Sequence, residues 1–250
     1  MKIIAEIGLN HCGSIKRGMK LVVDLINTSV DAITFQVREK EFYDQTHPRK
    51  DELPLSFYKE AIEIIHKENK LSGIAIAQVE KVEIFNEMRI DFWKTLSWDL
   101  NNIDLQNKLQ KTNKNVFVST GVSSMEEILE VSKKLNYIEF IHTQLNYSLE
   151  DVNIKAIQTI RELTKKPVAF GLHSKEHKVL YTTLGFEPSA LFFYVKDNTD
   201  GEHPDDEHAI SINDVEEYSL SLKEISLSIG TGNKPALSNT LHPEDDNVSA

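Results

Sequence analysis

Short apolar runs alternate with amphipathic stretches eight times along this chain, and that alternation limits its fold more than any other feature. The apolar runs fall at 3–7, 32–37, 71–78, 91–97, 116–121, 137–143, 167–172 and 190–195. Helical spacing follows them at 15–28, 55–69, 79–88, 101–110, 124–135, 152–165, 177–184 and 212–228. Ser14 stands where an N-cap belongs, just ahead of the first helical stretch. Strands that each feed a helix must pair in parallel through right-handed crossovers, and eight such units in this length close on themselves. The prediction is therefore α/β: a (β/α)8 TIM barrel as a single domain over 1–230, with 231–250 a C-terminal tail. An open doubly wound sheet is the alternative, but no G-x-G-x-x-G follows any strand. The polar stretch 38–54 is too long for an ordinary connection and reads equally as a substrate-covering loop or a disordered insertion.

The chain has 250 residues, 40% of them hydrophobic, enough for one large core. No run approaches the roughly 20 apolar residues of a membrane span, and the first residues lack a signal-peptide pattern, so the expectation is a cytoplasmic protein with no membrane partner. One cysteine, Cys12, precludes an internal disulfide. A net charge of -11 argues against nucleic acid or an anionic membrane as the main partner. An anionic ligand must then be met by a local cluster of donors.

In such a barrel the chemistry sits at the carboxyl ends of the strands. The first strand carries Glu6 amid Ile3, Ile4, Ala5 and Ile7, and a buried carboxylate must find a cation or donors, or hold its proton more tightly. Asn10 and His11 follow it. The other ends offer Thr34 and Gln36, then Gln78, then Lys94, Ser97 and Asp99, then Ser119, Thr120 and Gly121. Beyond these come His142, Gln144, Asn146 and Tyr147, then His173 and His177, then Asp197, Asp200, His203, Asp205 and His208. Lys94 with Ser97 and Ser119 supplies a cation and hydroxyl donors suited to phosphate. A Schiff-base role for Lys94, or a plain ion pair with Glu6, stays open beside that reading. The histidines at 173, 177, 203 and 208 could hold a divalent metal, although their spacing matches no standard motif and solvated loop histidines are the plainer reading. His142, inside an apolar strand, reads as a core histidine.

These residues resemble the sialic acid (N-acetylneuraminate) synthases and their legionaminate and pseudaminate relatives. The likeness runs from Ile3 to about Gly230, and its most specific piece is Ile4-Ala-Glu-Ile-Gly-Leu-Asn-His-Cys-Gly13. Phe35-Gln36, Lys94 with Ser97 and Asn101-Asn102, Val118-Ser-Thr-Gly121, His142 with Tyr147, Gly171-Leu172 and Pro204-Asp205 support it. The resemblance implies a barrel that condenses phosphoenolpyruvate with an N-acetylated hexosamine and releases phosphate, using a divalent metal, Mn or Mg. It implies Glu6 as the catalytic carboxylate, Lys94, Ser97 and Ser119 on phosphoenolpyruvate, and Asn10, Gln36, Tyr147 and Asp205 on the sugar, with His173 and His177 as relocated metal ligands. Several positions depart from the family pattern: a lysine beside Phe35-Gln36 is Thr34, a threonine and phenylalanine after the third strand are replaced in Ala75-Ile-Ala-Gln78, and the second metal histidine falls at about Val195. The family's C-terminal antifreeze-like domain has no counterpart in this sequence, which implies a homodimer or a partner subunit that completes the site. A barrel without metal chemistry, serving as a sugar- or phosphate-binding regulatory scaffold, is the rival expectation.

Overall fold

The computed structural model describes residues 1–44, 52–198 and 203–234. Among them, β1 (Lys2–Gly8), β2 (Ala32–Val37), β3 (Leu71–Ile76), β4 (Phe92–Thr95), β5 (Asn115–Ser119), β6 (Glu139–His142), β7 (Val168–Gly171) and β8 (Ala190–Lys196) lie parallel in sequence order. β8 returns to pair with β1, Glu6 opposite Tyr194, so the predicted (β/α)8 barrel is closed. The outer layer is α1 (Ile15–Ile26), α3 (Leu55–Lys67), α4 (Val82–Glu87), α5 (Ile103–Gln110), α6 (Met125–Lys134), α7 (Ala156–Thr164), α8 (Val179–Leu184) and α9 (Val215–Ser226), while the short α2 (Lys40–Tyr43) lies in the connection after β2. Ser14 caps α1 by accepting from the Arg17 N–H at 3.2 Å, and Ser124 and Glu127 cap α6 reciprocally.

The period of two along each strand decides what faces the interior. Ile4, Ala32, Phe92, Phe117, Ile141, Ala169, Ala190 and Phe192 pack together and fill the barrel. Phe117 lies edge-on to Phe92 at 5.6 Å and to Phe192 at 5.0 Å. Their strand neighbours Ile3, Trp93, Val118, Phe140, Val168 and Phe193 pack in the larger core that includes the helices. Two residues beyond the aromatic plug, the same inward parity brings Glu6, Lys94, Ser119 and Tyr194 to the carboxyl end. A polar layer thus rests on an apolar floor.

Several predicted elements shift. Residues 79–88 begin as a 3-10 turn, Val79–Lys81, before α4, and the helix expected over 152–165 starts only at Ala156, after a separate 3-10 turn, Glu150–Val152. A two-residue strand, β9 (Ile210–Ser211), pairs with Val195 and Lys196 on the barrel's rim; it is too short to leave a pattern in sequence. Of the stretch 38–54, residues 45–51 lie outside the described residues; beyond them Leu53 is buried and Glu52 pairs with Lys81, whereas α2, before them, has no buried residue. The tail expected over 231–250 is described only to residue 234, and those four residues are exposed.

Candidate functional site at the carboxyl-end mouth

A cavity of about 280 Å³ opens above the plug, lined by Leu9, Gln36, Arg38, Phe42, Lys94, Leu96, Ser97, Trp98, Ser119, Leu145, His173, Tyr194, Pro204 and Asp205. A larger hollow of about 610 Å³, with Asn115, Glu139 and Pro167 on its wall, lies at the opposite ends of β5 to β7. Barrel enzymes keep their chemistry at the carboxyl face, so the smaller cavity is the candidate site.

Its floor is an ion pair. The Lys94 ammonium donates to Glu6 Oε2, with side-chain exposures of 7% and 0%. The other Glu6 oxygen, Oε1, is buried without a hydrogen-bond partner among the described residues. Beside the pair, the Ser97 and Ser119 hydroxyls lie 2.9 Å apart. This approach requires glycine at 121: a Cβ there would fall 2.6 Å from Ser97 Oγ. Gly8, where β1 bulges at φ +57°, plays the same part on the opposite wall, because a Cβ would meet Tyr194 at 2.7 Å and Asp205 Oδ2 at 3.0 Å.

Burial sets the protonation states. Asp205 is pushed up to about 7, first by desolvation and then by the Glu6 charge, and its Oδ2 has no hydrogen-bond partner among the described residues. The Tyr194 phenol is raised well above its usual value by burial and by Glu6, which keeps it a donor at neutral pH; it approaches Gln36 Oε1 at 3.5 Å. Burial, with His208 and Lys94 adding to it, drives His173 well below the usual histidine range. His208 falls to about 4, chiefly through desolvation. Both imidazoles are therefore neutral near pH 7.

The structure gathers Glu6, Lys94, Ser97, Ser119, Gln36, Asp205 and His173 around this cavity, with Gly121 packed against Ser97 and His208 stacked on His173. Asn10 is behind the wall: its amide donates to Val195 O at 2.7 Å while its Oδ1 accepts from the Asp205 N–H at 3.1 Å, so it staples the loop after β1 to β8. Tyr147 stands on the rim, 42% exposed, its ring stacked on His208 at 5.6 Å. His177 does not join His173. Residues 173–178 are not helical, so the i, i+4 spacing carries no common face, and the His177 ring meets Tyr218 of α9 at 5.9 Å. His11 accepts from the Gly13 N–H and is lowered to about 4 by burial. Asp197 and His203 bond each other at 2.9 Å and are tied to Arg17, at the start of α1. The His142 ring lies 2.9 Å from Val152 O, and Asp200 lies outside the described residues.

Sequence reasoning passed over Arg38, Phe42, Trp98, Leu145 and Tyr194 as wall residues. Strand parity is a signal that finds two of them, since Arg38 is two residues beyond Gln36 and Tyr194 is two beyond the interior Phe192.

The donor set does not fit a metal ion. His173 and His208 are the imidazoles at the mouth, yet they stack at 4.3 Å with 23° between planes, so lone pairs lying in those planes do not converge. Among the described residues no three His, Cys, Asp or Glu groups are arranged to hold an ion. Val195, where the resemblance locates the second metal histidine, packs into the sheet–helix core.

A closed (β/α)8 barrel with an acid, an ammonium and paired hydroxyls at its carboxyl-end mouth defines the class: a barrel of the enzyme type, with a small polar cavity over an apolar floor. A family model narrows this. The NeuB family model matches residues 15–234, and the chain belongs to that family. It is 32% identical to the uncharacterized protein MJ1065 of Methanocaldococcus jannaschii, over 93% of this chain and 73% of that one. It is 23% identical to the N,N'-diacetyllegionaminic acid synthase of Campylobacter jejuni, over 94% of this chain and 79% of that one. Among solved structures, the N-acetylneuraminic acid (sialic acid) synthetase of Leptospira borgpetersenii superposes with a TM-score of 0.86 at 21% identity, covering 94% of this chain and 87% of that one. Among the described residues, no helix is long and apolar enough to cross a membrane.

Proposed function

We propose that the protein is a phosphoenolpyruvate-dependent condensing synthase that joins a three-carbon enolpyruvate unit to an N-acetylated amino sugar, as in sialic-type acid biosynthesis, with release of phosphate. The observation that carries this reading is the buried Glu6–Lys94 pair set beside the Ser97–Ser119 hydroxyls in the mouth of a NeuB-family barrel.

In this reading the two hydroxyls donate to phosphoryl oxygens and the Lys94 ammonium faces the charge that develops on the reacting groups. The enolpyruvate carbon attacks the sugar's aldehyde carbon, and the aldehyde oxygen takes a proton from Asp205, which near pH 7 is about half protonated. Water adds to the ester carbon, giving its proton to Glu6, and the tetrahedral adduct expels phosphate to leave a 2-oxo acid. Gln36 and the Tyr194 phenol offer hydrogen bonds to the sugar, with Tyr147 at the rim. Small-molecule substrates, a cytoplasmic setting and a homodimer or partner subunit belong to the same proposal.

The rival, a sugar- or phosphate-binding scaffold, is favoured by Thr34: it occupies the position of the family's lysine, opposite Glu6 in the β1–β2 register, and its hydroxyl is buried without a partner. Phosphate release separates the two. Incubation with phosphoenolpyruvate and a panel of N-acetylated hexosamines, with and without manganese, is expected to release phosphate, and Glu6→Gln to lower the rate at least about 100-fold. Calorimetric binding with no release from any sugar would establish the scaffold instead.

A further inference from the structure

We infer that Arg38 is the anion anchor of the mouth, the cation that receives the oxyanion of the substrate. The inference rests on the proposed function only in naming phosphoenolpyruvate as that substrate.

The chain's net charge of -11 repels anions at long range, so a phosphorylated substrate depends on cations inside the cavity. Two cationic side chains line it among the described residues, Lys94 and Arg38. Lys94 is held against Glu6 in a pair that is almost fully buried, so that carboxylate offsets part of its pull on an anion arriving from solution. Arg38 differs. Its partner Glu39 is 42% exposed, so water screens that carboxylate and weakens its hold on the guanidinium.

Among the described residues, the geometry leaves Arg38 a free edge. A guanidinium carries five N–H donors in a rigid fork. Glu39 accepts from Nε at 2.9 Å and from Nη2 at 2.7 Å, which occupies one edge. The opposite edge, with Nη1 and the second Nη2 hydrogen, forms the kind of fork that takes a phosphate or carboxylate through two parallel bonds. The group is also fixed before a ligand arrives. Phe42 lies under its carbon at 4.0 Å, the Arg38 N–H donates to Tyr43 Oη at 3.0 Å, and Gln78 Nε2 donates to the Arg38 carbonyl at 2.5 Å. Its charge reaches across the cavity, lowering both Tyr194 and Asp205 against the larger effects that raise them. Ser97 and Ser119 line the same cavity, so an oxyanion held by the fork also has hydroxyl donors within the site.

Calorimetry on the full chain with inorganic phosphate and with phosphoenolpyruvate tests this. Arg38→Met is expected to weaken both about 10- to 100-fold, the range for a lost hydrogen-bonded charge. Arg38→Lys, which keeps charge but not the fork, should recover part of the loss, and the salt dependence of binding should flatten in Arg38→Met alone. A thermal melt within a few degrees of the parent shows that both variants fold. Parent-like binding by Arg38→Met, or a parent protein that binds neither anion, overturns the assignment. If phosphate binds in an Arg38-dependent way but phosphoenolpyruvate is never turned over, the anchor stands and the synthase reading falls. If Arg38→Met turns phosphoenolpyruvate over with parent KM, the synthase stands and the anchor falls.

Discussion

Breaking the Glu6–Lys94 pair from one side should cost far more than removing it whole. The side chains are 0% and 7% exposed, and the ammonium lies 5.6 Å from the centroid of the Phe192 ring and 5.3 Å from that of Tyr194, so removing either charge leaves the other poorly solvated. Lys94→Met leaves the carboxylate buried without its counter-charge, at about 3–5 kcal/mol, and Glu6→Gln leaves the ammonium with only the raised Asp205 carboxyl near it, at about 3 kcal/mol. The double substitution removes both charges and should cost about 1–2 kcal/mol, giving a coupling of about 4 kcal/mol or more in a double-mutant cycle. Urea unfolding reads this out: at a slope of about 2–3 kcal/mol per molar, each single variant should lower the midpoint by about 1–2 M, and the double variant should regain most of it. Single losses under about 1 kcal/mol that simply add would show the pair to be solvated, and the description of the mouth's floor would fail. A double variant that regains stability but releases no phosphate would place the pair in the chemistry as well as in the fold.

Two further outcomes follow from the walls of the cavity. Gly121→Ala puts a Cβ 2.6 Å from Ser97 Oγ and 3.0 Å from Leu145, which should cost about 1–3 kcal/mol and raise KM for phosphoenolpyruvate by displacing a hydroxyl; unchanged melting temperature and KM would refute the close packing. Asp205, held near 7 against an ordinary 3.8, binds more protons folded than unfolded between those values. Its contribution to stability is therefore fully present below about pH 4 and lost as pH rises through about 7. Asp205→Asn should remove that decline, so that urea midpoints of variant and parent agree at pH 4 and diverge in the variant's favour at pH 8; parallel curves would show the carboxyl to be solvated.

Much of the architecture was legible because it is written in periods. Apolar runs of strand length and helical repeats are local signals, and the rule that βα units pair in parallel converts eight of them into one topology. The element ends were less legible: a 3-10 turn such as Glu150–Val152 shares its residues' helical preference and differs only in its hydrogen bonds. The site was legible where a residue violated its surroundings. Glu6 within an apolar strand and Lys94 beside Trp93 are anomalies that a sequence displays openly.

Tertiary structure decided which of the polar residues at the strand ends meet. His173 and His177 are four apart, yet one lines the cavity and the other turns to Tyr218, because the chain between them is not a helix. Asn10, drawn from the most specific motif, is consumed by Val195 and Asp205, whereas Arg38, an unremarkable charge at the start of a polar stretch, enters the cavity. The sequence by itself determined the barrel, its inward parity and the buried acid, since each depends on neighbours along the chain. Contacts, protonation and the free edge of Arg38 were settled only by closure, because hydrogen-bond partners and desolvation come from residues as distant in sequence as Asn10 and Val195, which no local pattern connects.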